Sequence, residues 1–285
     1  MNSKRPTREG NPHALKVLMY HRVVDDERLS ASHWSCVHER DFRSHLEFLD
    51  RWGYTTITFD DYRLFLRGEA NLPRKPVILT FDDGYLDTYT CAYPLLHEFG
   101  MNAVMFVLGD HRIRSNFWDT TPGMYAPLMA REQLLELHEA GFEIGSHSLS
   151  HADLSILPEN SAWEQISRSG ILLEMLLNAP VRSFAYPYGL LAPRVKQMIT
   201  EAGYDIACGV WTGPAAFGVD PFEIRRIPIL NTTGTADFAI RLLTPFQLYA
   251  WSRWNVRKLV DRVSGNGTRH AAAAGEPVHV QQTLD

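Results

Sequence analysis

The sequence predicts an α/β fold built on a parallel sheet, and a closed barrel is favoured over an open sheet. Short apolar runs alternate with helical patterns between about residues 15 and 230. Most of these runs are continuously apolar, which is typical of strands that are covered on both faces. About eight such units suit a barrel better than an open sheet. No GxGxxG motif follows a predicted strand, so nothing indicates a dinucleotide site.

The helices are predicted from the glycines that follow them, and the strands from the apolar runs after those glycines. Four of the five helical stretches are followed by a glycine, the residue that most easily takes the left-handed conformation ending a helix. The predicted strands are Leu15–His21, Thr55–Thr58, Pro76–Phe81, Asn102–Val107, Phe142–Ser146, Arg182–Tyr186, Tyr204–Cys208 and Arg225–Ile229. The predicted helices are Glu39–Trp52, Asp87–Phe99, Arg131–Ala140, Asn160–Leu177 and Ala192–Ala202.

The overall composition is that of an ordinary soluble globular chain. Of the 285 residues, 45% are hydrophobic and 21% are charged, and the formal net charge is -5. This balance does not indicate nucleic-acid binding. The three cysteines (Cys36, Cys91 and Cys208) are too scattered for a disulfide framework or a CxxC metal site. The polar residues 1–12 lack the apolar core of a signal peptide, so a cytoplasmic location is expected.

One folded domain is expected over residues 14–235. Residues 1–13 and 264–285 are predicted to be disordered. Residues 236–263 are predicted to form a C-terminal amphipathic helical segment, which is rich in aromatic and basic side chains from 238 onward. Packing on the barrel, a dimer face and peripheral contact with a membrane surface remain the alternatives for 238–263. The oligomeric state is left open.

Two adjacent carboxylates end one predicted strand. The apolar run Val77–Phe81 leads directly into Asp82, Asp83 and Gly84. In parallel α/β folds, functional sites form at the carboxyl ends of the strands. Two carboxylates placed there are costly to bury unless they bind something. A plain Asp-Gly turn is the structural alternative.

A histidine pair ends another predicted strand, in the stretch Gly145–His151. His147 and His151 are four residues apart, so one helical turn would place both imidazoles on one face, ready to share a metal ion. Alone, such a pair is more often structural. Together with one aspartate, it forms a ligand set that suits Zn²⁺, with Co²⁺, Ni²⁺ or Fe²⁺ as alternatives. The ion would lower the pKa of bound water from about 15.7 toward ~7, and the second aspartate would take the proton of that water.

A third motif, Phe184–Gly189, also follows a predicted strand and lies in a Pro/Gly turn. A backbone N–H in such a turn can form half of an oxyanion hole. Taken alone, the motif is only an aromatic turn.

In series, the three motifs resemble those of the NodB-type polysaccharide deacetylases, carbohydrate esterase family 4. Thr80–Gly84 resembles the first family motif, His147–His151 resembles the His-(Ser/Thr)-x-x-His motif, and Phe184–Gly189 resembles the third in its Tyr-Pro-Tyr-Gly form. The resemblance spans about residues 15 to 230. In addition, Met19–Val23 resembles the poly-N-acetylglucosamine deacetylase branch of the family.

The resemblance implies a distorted (β/α)7 barrel in a single domain, with Zn²⁺ in a surface groove. It implies a metal-dependent hydrolase that removes N-acetyl groups from N-acetylhexosamine units of a poly- or oligosaccharide or a lipid-linked sugar. Asp82 would be the base, and Asp83, His147 and His151 would be the metal ligands. The backbone N–H of Tyr188 would help to hold the oxyanion.

Two departures from the family pattern concern the residues around the base. Many members carry, at the position of Ala185, an arginine that holds the catalytic aspartate. Arg226 is the candidate substitute for that arginine. The alternative for Arg226 is a plain surface or salt-bridged arginine without a role in the site. Many members also have a late histidine that protonates the leaving amine, and here the only later histidines, His270 and His279, are in the polar tail. The remaining candidate proton donors are His21, Asp82 after it has taken the proton, or a metal-bound water.

The substrate-contacting residues are expected near the strand ends. Tyr186 and Pro187 in the third motif, and Trp118 in the aromatic loop Asn116–Asp119, are predicted to contact the sugar. A loop anchored into the core by Phe117 and Trp118 is the alternative for that loop, and a structural histidine is the alternative for His21.

Two other functions remain open from the sequence. One is an amidase or deformylase on another C–N substrate, because specificity is set by loops rather than by the fold. The other is a catalytically silent carbohydrate-binding protein, which the missing arginine and histidine would allow. The adjacent Asp82 and Asp83 argue against that last function, since a binding protein needs no base.

Overall fold

The structure, a computed structural model, describes residues 15–209 and 220–246. The strands are β1 (Lys16–Tyr20), β2 (Arg22–Val24), β3 (Cys36–His38), β4 (Thr55–Thr56), β5 (Pro76–Phe81), β6 (Val104–Val107), β7 (Glu143–Ser146), β8 (Ser183–Ala185), β9 (Ile206–Gly209), β10 (Ile224–Arg225) and β11 (Ile227–Pro228). The helices are α1 (Glu27–Ser32), α2 (Glu39–Arg51), α3 (Phe59–Leu66), α4 (Tyr93–Glu98), α5 (Arg131–Glu139), α6 (Glu159–Leu177), α7 (Pro193–Glu201) and α8 (Thr235–Leu243).

The main sheet is parallel and curls into a nearly closed barrel. Its strand order is β10-β9-β8-β7-β6-β5-β1-β11, and β4 pairs with the start of β5. The two ends of this sheet are consecutive in the chain, because only Arg226 separates β10 from β11. Ile224 pairs with Cys208 on β9, while Ile227 pairs with Leu18 on β1. A single short segment therefore closes the barrel, and the predicted single-domain α/β barrel is confirmed.

The side chains of β5 show how the barrel is filled. All six residues of β5 are buried, and successive side chains point to opposite faces of the sheet. Leu79 and Phe81 pack in one cluster with Phe42 and Leu46 of α2, on the outside of the barrel. Ile78 packs in a second cluster, together with residues of several other barrel strands and of α3. The alternation assigns Ile78, Thr80 and Asp82 to one face, the barrel interior.

Several segments differ from the sequence prediction. The predicted helix Asp87–Phe99 is divided into a short π-helix at Thr88–Ala92 and the α-helix α4. The division falls next to Pro94, which has no backbone N–H and is tolerated only near the start of an α-helix. The small two-stranded sheet of β2 and β3 was not predicted, and neither were α1 and α3. The predicted strand Arg225–Ile229 is divided between β10 and β11, since it pairs first with β9 and then with β1.

The proposed domain ends are largely outside the described residues. Residues 1–13 and 264–285 are not described, and the predicted segment 236–263 is described only to residue 246, where it contains α8. The expectation of membrane contact through 238–263 therefore stays a prediction. Among the described residues, no helix is both long and apolar enough to cross a bilayer.

Candidate metal centre

Three buried side chains converge where β5 and β7 end. Asp83 follows β5, and His147 and His151 follow β7. Their candidate ligand atoms all lie within 4.8 Å of one another. The Nε2 atoms of His147 and His151 each lie 3.2 Å from Oδ1 of Asp83. The structure thus brings together the three residues that the sequence proposed as metal ligands.

The backbone reaches this arrangement through left-handed residues rather than a helix. The φ angles are 73° at Asp83, 65° at Ser148 and 60° at His151. The expectation that one helical turn would align the two histidines is wrong, because the chain reverses direction in a turn in which the Ser148 hydroxyl accepts a hydrogen bond from the N–H of His151 at 3.0 Å. Left-handed non-glycine residues each cost of the order of 1–3 kcal/mol and persist where surrounding contacts require them, as at functional sites.

Asp82 is paired with Arg226. The guanidinium donates two hydrogen bonds to the carboxylate, at 2.6 and 2.7 Å, and a third to the Thr80 hydroxyl at 3.2 Å. Both side chains are buried. Burial acts to raise the pKa of Asp82, but the charges of Arg226 and His147 and the hydrogen bonds from Arg226 together outweigh it, and the pKa is lowered. Asp82 is therefore held as a carboxylate, although it lies inside the barrel.

The hydrogen bonding of His147 tests whether these residues fit a cation. Its Nδ1 lies 2.8 Å from the carbonyl oxygen of Ala185, which can only accept, so Nδ1 carries the proton and Nε2 of the neutral ring presents a lone pair. That lone pair faces Oδ1 of Asp83, a buried atom that accepts no hydrogen bond within the described part of the chain. Two facing lone pairs repel unless positive charge lies near them. A divalent cation with N,N,O ligands fits this arrangement.

The pKa shifts of His147 and Asp83 agree with a site that favours positive charge, whereas burial lowers the pKa of His151. Burial disfavours the charged ring of His147, but the neighbouring Asp83 and Asp82 outweigh it, and the pKa of His147 is raised. Burial likewise opposes ionisation of Asp83, yet its two histidine neighbours lower its pKa well below the usual range.

The third motif lies beside the histidines. Tyr188, with φ of 59°, places its ring centroid 4.6 Å from that of His151, and the side chain is 38% exposed. Pro187 is buried. The Tyr186 ring packs against Phe184 in the core, and its hydroxyl donates to the carbonyl of Phe222 at 2.9 Å. These contacts hold the Tyr186 side chain in the core, and the contact of Tyr186 and Pro187 with substrate stays a prediction.

His21 lies between the barrel end and the small sheet. Burial lowers its pKa, and the charges of Asp83 and Asp82 act in the opposite direction, which places it in the same electrostatic environment as the candidate ligands. Its ring meets the edge of Trp34 with centroids 5.1 Å apart. Its carbonyl accepts a hydrogen bond from the Thr88 hydroxyl at 3.1 Å. Neither Trp34 nor the Ala185 carbonyl could be predicted from the sequence as part of the site.

The aromatic loop covers the other side of His151. The Trp118 ring stacks on the imidazole of His151, with centroids 4.4 Å apart and planes 16° apart. Phe117, by contrast, is 59% exposed, so it does not anchor the loop in the core. Trp118 is thus placed next to the candidate metal centre, and its contact with the sugar stays a prediction.

The fold and the site define a class: an α/β barrel with an Asp-His-His centre and a buried second carboxylate at the ends of its strands. The family model described as polysaccharide deacetylase matches residues 69–207. The resemblance to the polysaccharide deacetylases that the three motifs indicated is confirmed, and the proteins that the chain resembles are hydrolases of C–N bonds.

Three comparisons describe what the chain is similar to. Bacillus subtilis YxkH, whose name assigns it provisionally to the polysaccharide deacetylases, is 28% identical over 76% of this chain and 72% of its own length. The Escherichia coli poly-beta-1,6-N-acetyl-D-glucosamine N-deacetylase is 26% identical over 82% of this chain, but the match spans only 39% of that enzyme. The structure of Streptococcus pyogenes deacetylase PplD in complex with acetate shares the fold, with a TM-score of 0.69, 23% identity, and coverage of 80% of this chain and 97% of that one.

Proposed function

We propose that this chain is a metal-dependent hydrolase that removes acetyl groups from N-acetylhexosamine units. One observation carries the proposal: a second carboxylate, Asp82, is held ionised by Arg226 directly beside the Asp83, His147 and His151 centre. A protein that only bound a metal or a sugar would gain nothing from a buried, charged base. The names of the similar proteins support the same reaction.

Zn²⁺ is the ion we propose for the centre, because two imidazoles and one carboxylate form a borderline-soft ligand set; Co²⁺, Ni²⁺ and Fe²⁺ are the alternatives. When bound, the ion would polarise the acetyl carbonyl and lower the pKa of water. Asp83, His147 and His151 would hold it, with the His147 ring oriented by the carbonyl of Ala185.

The residues around the centre then each have a separate role in the reaction. Asp82 accepts a proton from the attacking water as the water oxygen bonds to the acetyl carbon. Arg226 keeps the carboxylate of Asp82 in place and charged before that transfer. The backbone N–H of Tyr188 donates to the carbonyl oxygen as it becomes negative. The C–N bond breaks when the amine receives a proton, and acetate and the free amino sugar leave.

His21 and Asp82 are the two proton donors proposed for the leaving amine. Asp82 holds the proton taken from water, and His21 is a histidine outside the proposed ligand set whose charge interacts with the carboxylates of the site. His21→Asn distinguishes them, because it should remove most of kcat if His21 donates and leave kcat nearly unchanged if Asp82 returns its proton. Metal content should stay the same in either case.

The substrate class is taken from the relatives. Several are named as poly-beta-1,6-N-acetyl-D-glucosamine N-deacetylases. We therefore propose N-acetylglucosamine oligomers as the first substrates to test. A lipid-linked N-acetylhexosamine is a second form of the same chemical group.

The test combines metal analysis with acetate release from a series of N-acetylglucosamine oligomers. Asp82→Asn should retain the metal and lose activity, whereas His147→Ala should lose the metal. Asp50→Asn, an exposed aspartate on α2, is the matched control and should change neither. Full activity after complete chelation would contradict the proposal.

An amidase or deformylase acting on another C–N substrate is the second candidate, since the same residues would serve any small amide. A panel of acetylated, formylated and ureide substrates separates the two. Faster release of formate or ammonia than of acetate would favour the alternative.

A further inference from the structure

The two histidines of the metal centre are oriented in different ways. His147 donates its Nδ1–H to the Ala185 carbonyl at 2.8 Å, the usual means of fixing a metal-binding imidazole. Nδ1 of His151 is buried and has no hydrogen-bond partner among residues 15–209 and 220–246. Its ring is instead confined between two aromatic rings: Trp118 stacks on it at 4.4 Å, and Tyr188 meets it nearly at right angles at 4.6 Å.

Trp118 lies in a loop whose two ends are joined by hydrogen bonds of the Asn116 side chain. The Asn116 side chain is buried; its Oδ1 accepts from the N–H of Ala126 at 2.7 Å, and its Nδ2 donates to the carbonyl of Met124 at 2.8 Å. The backbone N–H of Asn116 also donates to the Ala126 carbonyl at 3.2 Å. One amide side chain thus ties together the two ends of the loop that carries Trp118.

The same loop is attached to the segment that carries Asp83. The N–H of Leu86 donates to the Pro127 carbonyl at 2.9 Å, and the N–H of Met129 donates to the carbonyl of Gly84 at 2.9 Å. The loop therefore contacts the metal centre at two points: through ring stacking on His151, and through backbone hydrogen bonds next to Asp83.

We propose that Trp118 is a positioning residue for the metal centre, in which ring stacking takes the place of the hydrogen bond that would otherwise orient His151. Asn116 serves the same end by closing the loop. The inference rests on the proposed function, because it requires that Asp83, His147 and His151 bind a divalent cation. It assigns to this aromatic loop a role in metal affinity, separate from any contact with the sugar.

The expected effect is on affinity for the ion itself. Loss of a group that orients a metal ligand typically lowers affinity about 10- to 100-fold. Trp118→Ala should weaken binding within that range, and Trp118→Phe, which keeps an aromatic face, should restore most of it. Trp118→Leu keeps apolar bulk but no stacking face, so it should bind the metal as weakly as the alanine variant. Asn116→Ala should change affinity in the same direction.

The measurement is calorimetric titration of each chelator-treated protein with Zn²⁺, with Co²⁺ absorption spectra as a second readout of ligand geometry. Tyr125→Ala is the matched control, because it removes a 76% exposed aromatic ring from the same loop. Thermal unfolding of the metal-free variants establishes that each is folded, and the Phe and Leu variants carry the comparison if the alanine variant is not.

The outcomes separate this inference from the proposed function. If the wild-type protein binds neither Zn²⁺ nor Co²⁺, the proposed function fails, and this inference fails with it. If the wild type binds metal and the Trp118 variants bind it as tightly as Tyr125→Ala, the positioning role is overturned and the proposed function stands. At saturating metal, kcat of Trp118→Phe should return to within about threefold of the wild type, corresponding to under 1 kcal/mol.

Discussion

Replacing Arg226 with methionine should destabilise the protein far more than replacing an exposed arginine. The Arg226 side chain is fully buried, that of Asp82 is 4% exposed, and two hydrogen bonds of 2.6 and 2.7 Å join them. Removing one partner of a buried ion pair leaves the other charge unpaired, at a cost of about 3–5 kcal/mol. For a domain of this size, the melting temperature should fall by roughly 6–20 °C.

Denaturant unfolding of the chelator-treated proteins measures this cost without a contribution from bound metal. Arg112→Met is the matched control: its side chain is 85% exposed and also pairs with an aspartate, Asp110 at 2.7 Å. An exposed pair of this kind contributes about 0–1 kcal/mol.

A double-mutant cycle separates the unpaired charge from lost packing. Arg226→Met combined with Asp82→Asn leaves no charge at either position of the pair, so it should be more stable than Arg226→Met alone. The reasoning is refuted if Arg226→Met unfolds at the same denaturant concentration as Arg112→Met. It is also refuted if the Asp82→Asn substitution lowers the stability of both backgrounds equally.

Three further predictions concern positions other than Asp82 and the candidate ligands. Burial lowers the pKa of His45 to about 4, below its unfolded value near 6.5. The stability present above pH 6.5 should therefore be lost as pH falls toward 4, by up to about 3 kcal/mol. The free energy of unfolding, measured at pH 7 and 4.5, should depend less on pH in His45→Gln than in the wild type. Burial, aided by the charge of Asp60, raises the pKa of Glu143 to about 7, so stability present below its unfolded value near 4.5 is lost as pH rises through 7. Glu143→Gln should therefore gain stability relative to wild type between pH 5 and 8, and no relative change would contradict this. A Cβ at Gly145 would lie 2.5 Å from the ring of Phe106, so Gly145→Ala should lose about 1–3 kcal/mol, whereas Gly234→Ala, with open space around it, should lose less than about 1.

The elements that the sequence predicted best are those whose pattern is local. Pro76–Phe81 is a strand over the predicted residues, because a continuous apolar run bounded by charged residues has little alternative to a buried strand. The predicted bounds of helices such as α2 agree with the structure to within one residue, because a glycine shortly after the helix marks its end. The short strands β2, β3, β10 and β11 were missed or merged, because two or three residues become a strand only through the partner beside them.

The candidate site was predictable only in part, and for a similar reason. Asp83, His147 and His151 lie in motifs at strand ends, and parallel strands bring their carboxyl ends together. The left-handed turn at Ser148 and His151 was not predictable from the four-residue spacing, which favours a helical turn. The inward direction of Asp82 follows from the alternation along β5, but its pairing with Arg226 depends on how the barrel closes.

By itself, the sequence determined the parallel barrel, the order of its strands along the chain, and the three residues that could hold a metal, because these follow from periodicity and from motifs a few residues long. Tertiary structure alone decided that Arg226 would occupy the seam of the barrel and hold Asp82. It also decided that Trp118 would stack on His151. Both contacts join residues far apart in the chain (144 positions in the first case), and only closure of the barrel and docking of the aromatic loop bring them together.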